Sequence, residues 1–202
     1  MPRKRRRGGG HPLSPQRKRR RRALRRRFLI VCEGEQTEPN YFRRFRVNIS
    51  VTVVGTGLAP SGVVQRALQR ARGDEFDEIW VVFDKDDFPD TAFNNAIAQA
   101  KRAGLQVAYS NPAFELWYLL HFEFRNTALT RRDCQQRLSE HLGRPYRKND
   151  PALYDVLLPY QSTALHHARR LEQQYHEPRN PARENPSTTV HHLVEALIRE
   201  SR

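Results

Sequence analysis

Apolar positions in this 202-residue chain come first in short continuous runs and later in helical stripes. Phe28-Leu29-Ile30-Val31 and Ile79-Trp80-Val81-Val82-Phe83 are short, aromatic or β-branched, and read as strands covered on both faces of a parallel sheet. Strands are predicted over 28–33, 49–54, 78–84 and 105–110. Helical patterns fall between them: 37–46, then from Ser61 as N-cap to Arg72, then 89–103, opened by Pro89 and stopped by Gly104. Alternating strand and helix predicts a parallel sheet with right-handed crossovers.

After residue 110 the pattern changes. Asn111-Pro112 carries the signal of an N-cap and first helical residue, and the run from Ala113 to Phe122 is apolar nearly all round, as in a buried helix. Further helices are predicted near 130–142, 151–157 and 162–175, and from 186 onward, where Asn185-Pro186 repeats the cap. In the last helix Val190, Leu193, Val194, Leu197 and Ile198 recur at i, i+3, i+4, i+7 and i+8. The expected fold class is α/β, a mostly parallel sheet flanked by helices with a mainly helical C-terminal portion. The length supports one domain.

The net charge of +14 changes the picture through its location. Residues 1–27 hold fourteen of the 36 Lys and Arg and no acid, so 22 basic residues face 22 acidic ones in the remainder. Such a segment buries nothing apolar, so residues 1–27 are expected to be a disordered basic tail and 28–202 the folded domain. The tail reads either as a polyanion binder, through counter-ion release, or as a merely solvated extension. It lacks the apolar stretch of a secretory signal, and no run approaches a membrane span. Two cysteines, Cys32 and Cys134, without paired metal spacing fit a reduced, cytoplasmic protein.

The candidate chemistry lies just beyond the two clearest strands: Cys32-Glu33-Gly34-Glu35 after the first, Asp84-Lys85-Asp86-Asp87 after the third. Ligands of open α/β sheets bind beyond the carboxyl ends of strands, so Glu33, Asp84 and Asp86 should meet on one rim if these strands are neighbours. Carboxylates gathered there suit a hard divalent cation, Mg²⁺ or Mn²⁺, working on phosphate. Asp84 and Asp86, at i and i+2, would project to one side of an extended segment; the competing account makes the acidic run a strand end and helix cap. Glu33 could bind metal or act as general acid or base. Glu115, in an otherwise apolar helix start, needs a partner if buried. Glu38 reads equally as site residue or helix-dipole partner. Lys148, in Tyr146-Arg147-Lys148, could contact phosphate or simply line a solvated loop. His166-His167 and His191-His192 diverge by about 100° on a helix and read as surface residues. His121 reads as a satisfied core histidine.

Four segments together carry a resemblance: Val31-Cys32-Glu33-Gly34-Glu35-Gln36-Thr37-Glu38, Val82-Phe83-Asp84-Lys85-Asp86-Asp87-Phe88, Ser110-Asn111-Pro112-Ala113-Phe114-Glu115-Leu116-Trp117 and Asn185-Pro186-Ser187-Thr188. Through them the chain resembles the RloB-like family, a bacterial group whose core is similar to the Toprim domain. The resemblance implies Glu33 as the strand-one glutamate and Asp84 and Asp86 as the Asp-x-Asp pair. It also implies an ATPase partner protein and a setting in anti-phage defence. The expected function is a Mg²⁺-dependent nuclease acting on DNA or RNA, with Asp84, Asp86 and Glu33 on the metal and Glu33, Glu115 and Lys148 as catalytic candidates. The alternative is a non-catalytic nucleic-acid-binding or adaptor module.

Overall fold

A computed structural model describes residues 26–201. The predicted basic tail therefore lies almost wholly outside the described residues. Its last two arginines, Arg26 and Arg27, belong to the folded body. Arg26 pairs with Glu78 and Glu200, and Arg27 with Asp74 while its backbone N–H donates to Asp77.

Five strands form one sheet: β1 (Arg27–Cys32), β2 (Ser50–Gly55), β3 (Glu78–Asp84), β4 (Gln106–Asn111) and β5 (Ser187–Thr188), in the order β2-β1-β3-β4-β5. The first four are parallel, and β5 adds an antiparallel edge. Successive side chains of a strand face opposite ways. Phe28, Ile30 and Cys32 of β1 therefore enter one core and Leu29 and Val31 the other, all five fully buried. That two-sided burial is why the run is apolar without alternation.

Helices α2 (Pro60–Ala71) and α3 (Asp90–Arg102) cover the Leu29/Val31 face through Val63, Val64, Phe93 and Ile97. The other face carries α1 (Thr37–Phe42), α4 (Glu115–Leu119), α5 (Arg131–Leu142), α6 (Leu153–Leu157), α7 (Gln161–Glu172) and α8 (Val190–Arg199), packed around Trp117, Leu138 and Val194. Among the described residues no helix is long and apolar enough to cross a membrane.

From β1 the chain turns toward β2, and from β3 it turns toward β4. The crevice between β1 and β3 is thus the point where the direction of winding switches, the usual ligand position in such sheets.

The α/β expectation holds, and several local readings need correction. Neither Asn-Pro pair caps a helix; both peptide bonds are cis. Asn111 ends β4, and its side-chain amide donates to the carbonyls of Pro181 and Ala182. Asn185 exchanges two hydrogen bonds with the backbone of Leu129. Each Asn side chain is used to join distant segments and is lost as a cap. The helix predicted after 111 shrinks to the single turn of α4, and β5, unseen in the sequence, stands where the last helix was expected to begin. Ser61 lies inside α2, whose first residue is Pro60, and α1 stops at Phe42. The α5 start behaves as its sequence suggests: Thr130 and Asp133 form a reciprocal capping box.

Candidate functional site

The neighbouring carboxyl ends of β1 and β3 bring the predicted acids together. Glu33 continues the ladder by donating its N–H to Val82 O at 2.8 Å, and its carboxylate accepts the Asp84 N–H at 3.0 Å. Asp84, 5 % exposed, accepts the Phe114 N–H on Oδ2 at 2.9 Å. Its other oxygen, Oδ1, is buried without a hydrogen-bond partner.

Asp86 joins them by a different route from the one expected. The strand has ended at Asp84, and the Lys85 and Asp86 N–H groups donate to Ser110 O and Pro112 O. Asp86 itself turns with φ at +42°. Its carboxylate faces the cleft because of this turn, and strand alternation plays no part. Lys85 leaves the cleft, reaching Phe88 O and Asp90. Asp87 is exposed and outside the lining.

Two further acids complete the cluster. Glu115 opens α4 almost fully buried and accepts Gln135 Nε2 at 2.9 Å. Glu38 is buried in the first turn of α1, and its carboxylate lies where a Cβ on Gly34 would be. Only glycine at position 34 lets the two segments approach so closely. Glu33, Glu38, Asp84, Asp86, Glu115 and the exposed Lys148 line one cleft of about 160 Å³. Glu35 is exposed, and its carboxylate reaches toward Gly57.

Arg131 is the residue that the sequence did not disclose. As the first residue of α5 it stands among the acids: Nη2 lies 2.6 Å from Asp86 Oδ2 and 3.4 Å from Asp84 Oδ2, and Nε lies 3.9 Å from Glu115 Oε2. The capping box announces the helix start, but nothing local ties that turn to carboxylates between 15 and 50 residues earlier.

Five carboxylates against two cations in a partly desolvated cleft is an unbalanced set. Burial pushes the Glu33 carboxyl up to about 7, with Glu38 and Asp86 adding to the rise and the Asp84 amide opposing it. Burial likewise holds Asp84 well above the usual carboxylate range, reinforced by Glu38 and Glu33. Glu38 is raised by burial and by Glu115, against the pull of backbone amides and Lys148. Asp86 is raised by burial despite Arg131. Burial alone would lower the Arg131 guanidinium, but Asp86, Asp84 and Glu115 more than reverse it. Burial is the main cause of every carboxylate rise, and the crowding of like charges adds to it.

An all-oxygen donor set, an excess of carboxylate and the partnerless Asp84 Oδ1 suit a hard divalent cation, with Asp84, Asp86 and Glu33 as ligand candidates. Among the described residues no three of the cleft carboxylates bring their oxygens within 4.8 Å of one another, so one shared ion requires them to draw inward.

Beside the cleft, and sharing Thr37 with it, is a hollow of about 290 Å³ lined by Tyr41, Tyr118, Tyr146, Tyr154, Asn40, Arg43 and Arg44. Tyr146 Oη is buried there without a hydrogen-bond partner. The histidine readings divide. His121 is in the core as expected but only half satisfied: Nδ1 is on Trp117 O, Nε2 is buried without a hydrogen-bond partner, and burial lowers the ring to about 4. His167 is half-buried, with Nδ1 on Leu120 O. His191, expected on the surface, is 1 % exposed, and it converges with His192 on Glu172. Adjacent Cα–Cβ bonds do diverge on a helix, yet an imidazole's two torsions let both rings reach one carboxylate presented by a neighbouring helix.

Comparison with curated proteins and with solved structures gives no match. A family model described as RloB-like protein matches residues 28–197, nearly all of the described chain, and the protein thus belongs to the RloB-like family.

Proposed function

We propose that this chain is a Mg²⁺- or Mn²⁺-dependent nuclease that cleaves nucleic-acid phosphodiesters. The observation carrying the proposal is the convergence of Glu33, Asp84 and Asp86 at the switch point between β1 and β3, with Asp84 Oδ1 buried and unpartnered. The cation, bound by these three, would supply Lewis-acid polarisation of the phosphodiester and of water.

The remaining work falls to the chain's own groups. Where Asp84 and Asp86 alone hold the ion, Glu33, whose carboxyl is raised by burial to about 7 in the metal-free chain, would be left to take up and release a proton at Oε. Arg131 and Lys148 offer positive charge to phosphate oxygens at the cleft mouth. Gln135 fixes the orientation of the Glu115 carboxylate in the cleft. The adjoining tyrosine-lined hollow, with Arg43 and Arg44 at its rim, is the kind of surface on which a base and its phosphate rest. The ATPase partner and the defence setting belong to this proposal through the resemblance to the RloB-like family, and fold alone does not fix chemistry.

A second reading has its own observation. Arg131 already sits 2.6 Å from Asp86, so the cleft carries an internal counter-ion. A non-catalytic module that binds nucleic acid or a nucleotide would use the same residues without cleaving.

Incubation of the full chain with single- and double-stranded DNA and with RNA, in Mg²⁺ and in chelator, separates the two. Chelator-sensitive cleavage of any substrate supports the nuclease. Binding to any of them with no cleavage in Mg²⁺ or in Mn²⁺ establishes the second reading.

A further inference from the structure

The junction of α7 and α8 holds a group of polar side chains that the acidic cleft does not use. Glu172 is the last residue of α7, and His191 and His192 lie in the first turn of α8. His191 Nε2 and His192 Nε2 each lie 3.1 Å from Glu172 Oε2. The two rings are 4.0 Å apart at an interplanar angle of 38°. Among the described residues, this is the one trio of His, Cys, Asp or Glu side chains whose ligand atoms all fall within 4.8 Å of one another.

We infer that Glu172, His191 and His192 form a binding site for a borderline transition-metal ion, Zn²⁺ first among them, separate from the carboxylate cleft. Two imidazole nitrogens and one carboxylate oxygen are the donors such ions prefer, and a poor set for Mg²⁺ or Ca²⁺. Tetrahedral bonds of about 2.0–2.2 Å place ligand atoms about 3.3–3.6 Å apart. The two observed N···O spacings of 3.1 Å reach that by an outward step of a few tenths of an ångström, and all three ligand atoms already lie within 4.8 Å of one another.

Burial and charge point the same way. His191 has a fully buried ring whose Nδ1 finds no hydrogen-bond partner, so its one polar outlet is Nε2, aimed at Glu172. The side chain of His192 is 46 % exposed, which leaves a route for the ion and an outer position for water. The nearest cation, Arg179, comes within 4.0 Å of Glu172 Oε1, but its guanidinium is held by Glu184 at 2.6–2.9 Å. With both histidines neutral the trio keeps its single negative charge.

A bound ion would staple the end of α7 to the start of α8 and so close the segment 173–190. Asn185, within that segment, holds the backbone of Leu129 just before the Thr130 cap and Arg131. The site thereby stiffens the approach to the arginine of the acidic cleft.

The test uses the metal-free full chain titrated with Co²⁺, a visible-absorbing stand-in for Zn²⁺, in excess Mg²⁺. One intense four- or five-coordinate Co²⁺ spectrum, displaced by Zn²⁺ and with Kd below about 10 µM, is expected in wild type and in Asp84→Asn. Zn²⁺ should raise the melting temperature of both. His192→Gln and Glu172→Gln, both at partly exposed positions, should fold as judged by circular dichroism, bind at least about tenfold more weakly and show no Zn²⁺ stabilisation. Wild-type affinity in both variants, a spectrum that disappears with Asp84→Asn, or no binding in this range would overturn the proposal.

Discussion

Arg131 Nη2 stands 2.6 Å from Asp86 Oδ2 and bridges onward to Asp84, joining the N-terminus of α5 to the turn after β3. The pair lies across the mouth of a cleft with three more carboxylates behind it. Arg131 is thus the main counter-charge of the cleft, ion-paired with two of its acids and still partly open to solvent.

Arg131→Met should reveal that role. Removing one partner of a fully buried ion pair costs about 3–5 kcal/mol. The Arg131 side chain is 34 % exposed, so solvent screening reduces the expected loss to about 1–2 kcal/mol. Denaturant unfolding at neutral pH measures it. Adding Mg²⁺ should recover more stability in the variant than in wild type, since the cation then meets unneutralised acids. Equal Mg²⁺ responses would argue against a cation site at these carboxylates.

The Glu33 carboxyl is raised to about 7 in the folded chain, above the ordinary value of 4.5. Between those limits the folded state holds more proton than the unfolded one. The contribution of Glu33 to stability is therefore full below about pH 4.5 and is lost as pH rises through 7. In chelator, the wild-type melting temperature should fall relative to Glu33→Gln across this window. Parallel profiles for the two proteins would mean that Glu33 is not held protonated.

Asp84→Asn keeps an oxygen for the Phe114 N–H while removing charge from the buried end of the cluster. Metal-dependent cleavage should drop to background while the melting temperature stays level or rises. Unfolding of the variant would mark Asp84 as structural, and unimpaired cleavage would place the chemistry elsewhere.

Gly34→Ala puts a methyl into the Glu38 carboxylate. Relief requires Glu38 to swing or α1 to shift, at a cost of about 1–3 kcal/mol. The pairing of the change with Glu38→Ala tests the cause: the double variant should regain stability relative to Gly34→Ala alone.

Deleting residues 1–25 tests the basic segment without touching Arg26 or Arg27, whose ion pairs belong to the body. Non-specific polyanion affinity should fall, and the slope of log K against log salt should flatten by about 0.7–0.9 for each phosphate that the shortened chain leaves unneutralised. An unchanged slope would transfer that binding to Arg43, Arg44 and the cleft mouth.

Neighbours along the chain are enough to specify part of this protein. Unbroken apolar runs specify β1 and β3 because both faces are covered, and the Thr130–Asp133 box specifies the start of α5. The acids after β1 and β3 become a pair only because the folded sheet makes those strands parallel neighbours, a placement the sequence leaves conditional. The rest is settled only when the chain packs. Asn111 and Asn185 carry a helix-cap signature, but their amides satisfy remote carbonyls and amides, which outweighs local propensity. Asp86 enters the cleft through a turn held by Ser110 and Pro112. Arg131 reaches acids as far as 47 residues away, and Glu172 meets His191 across 19. Such encounters depend on how helices settle onto the sheet, and the period of a hydrophobic pattern records which face is buried without recording what it will meet.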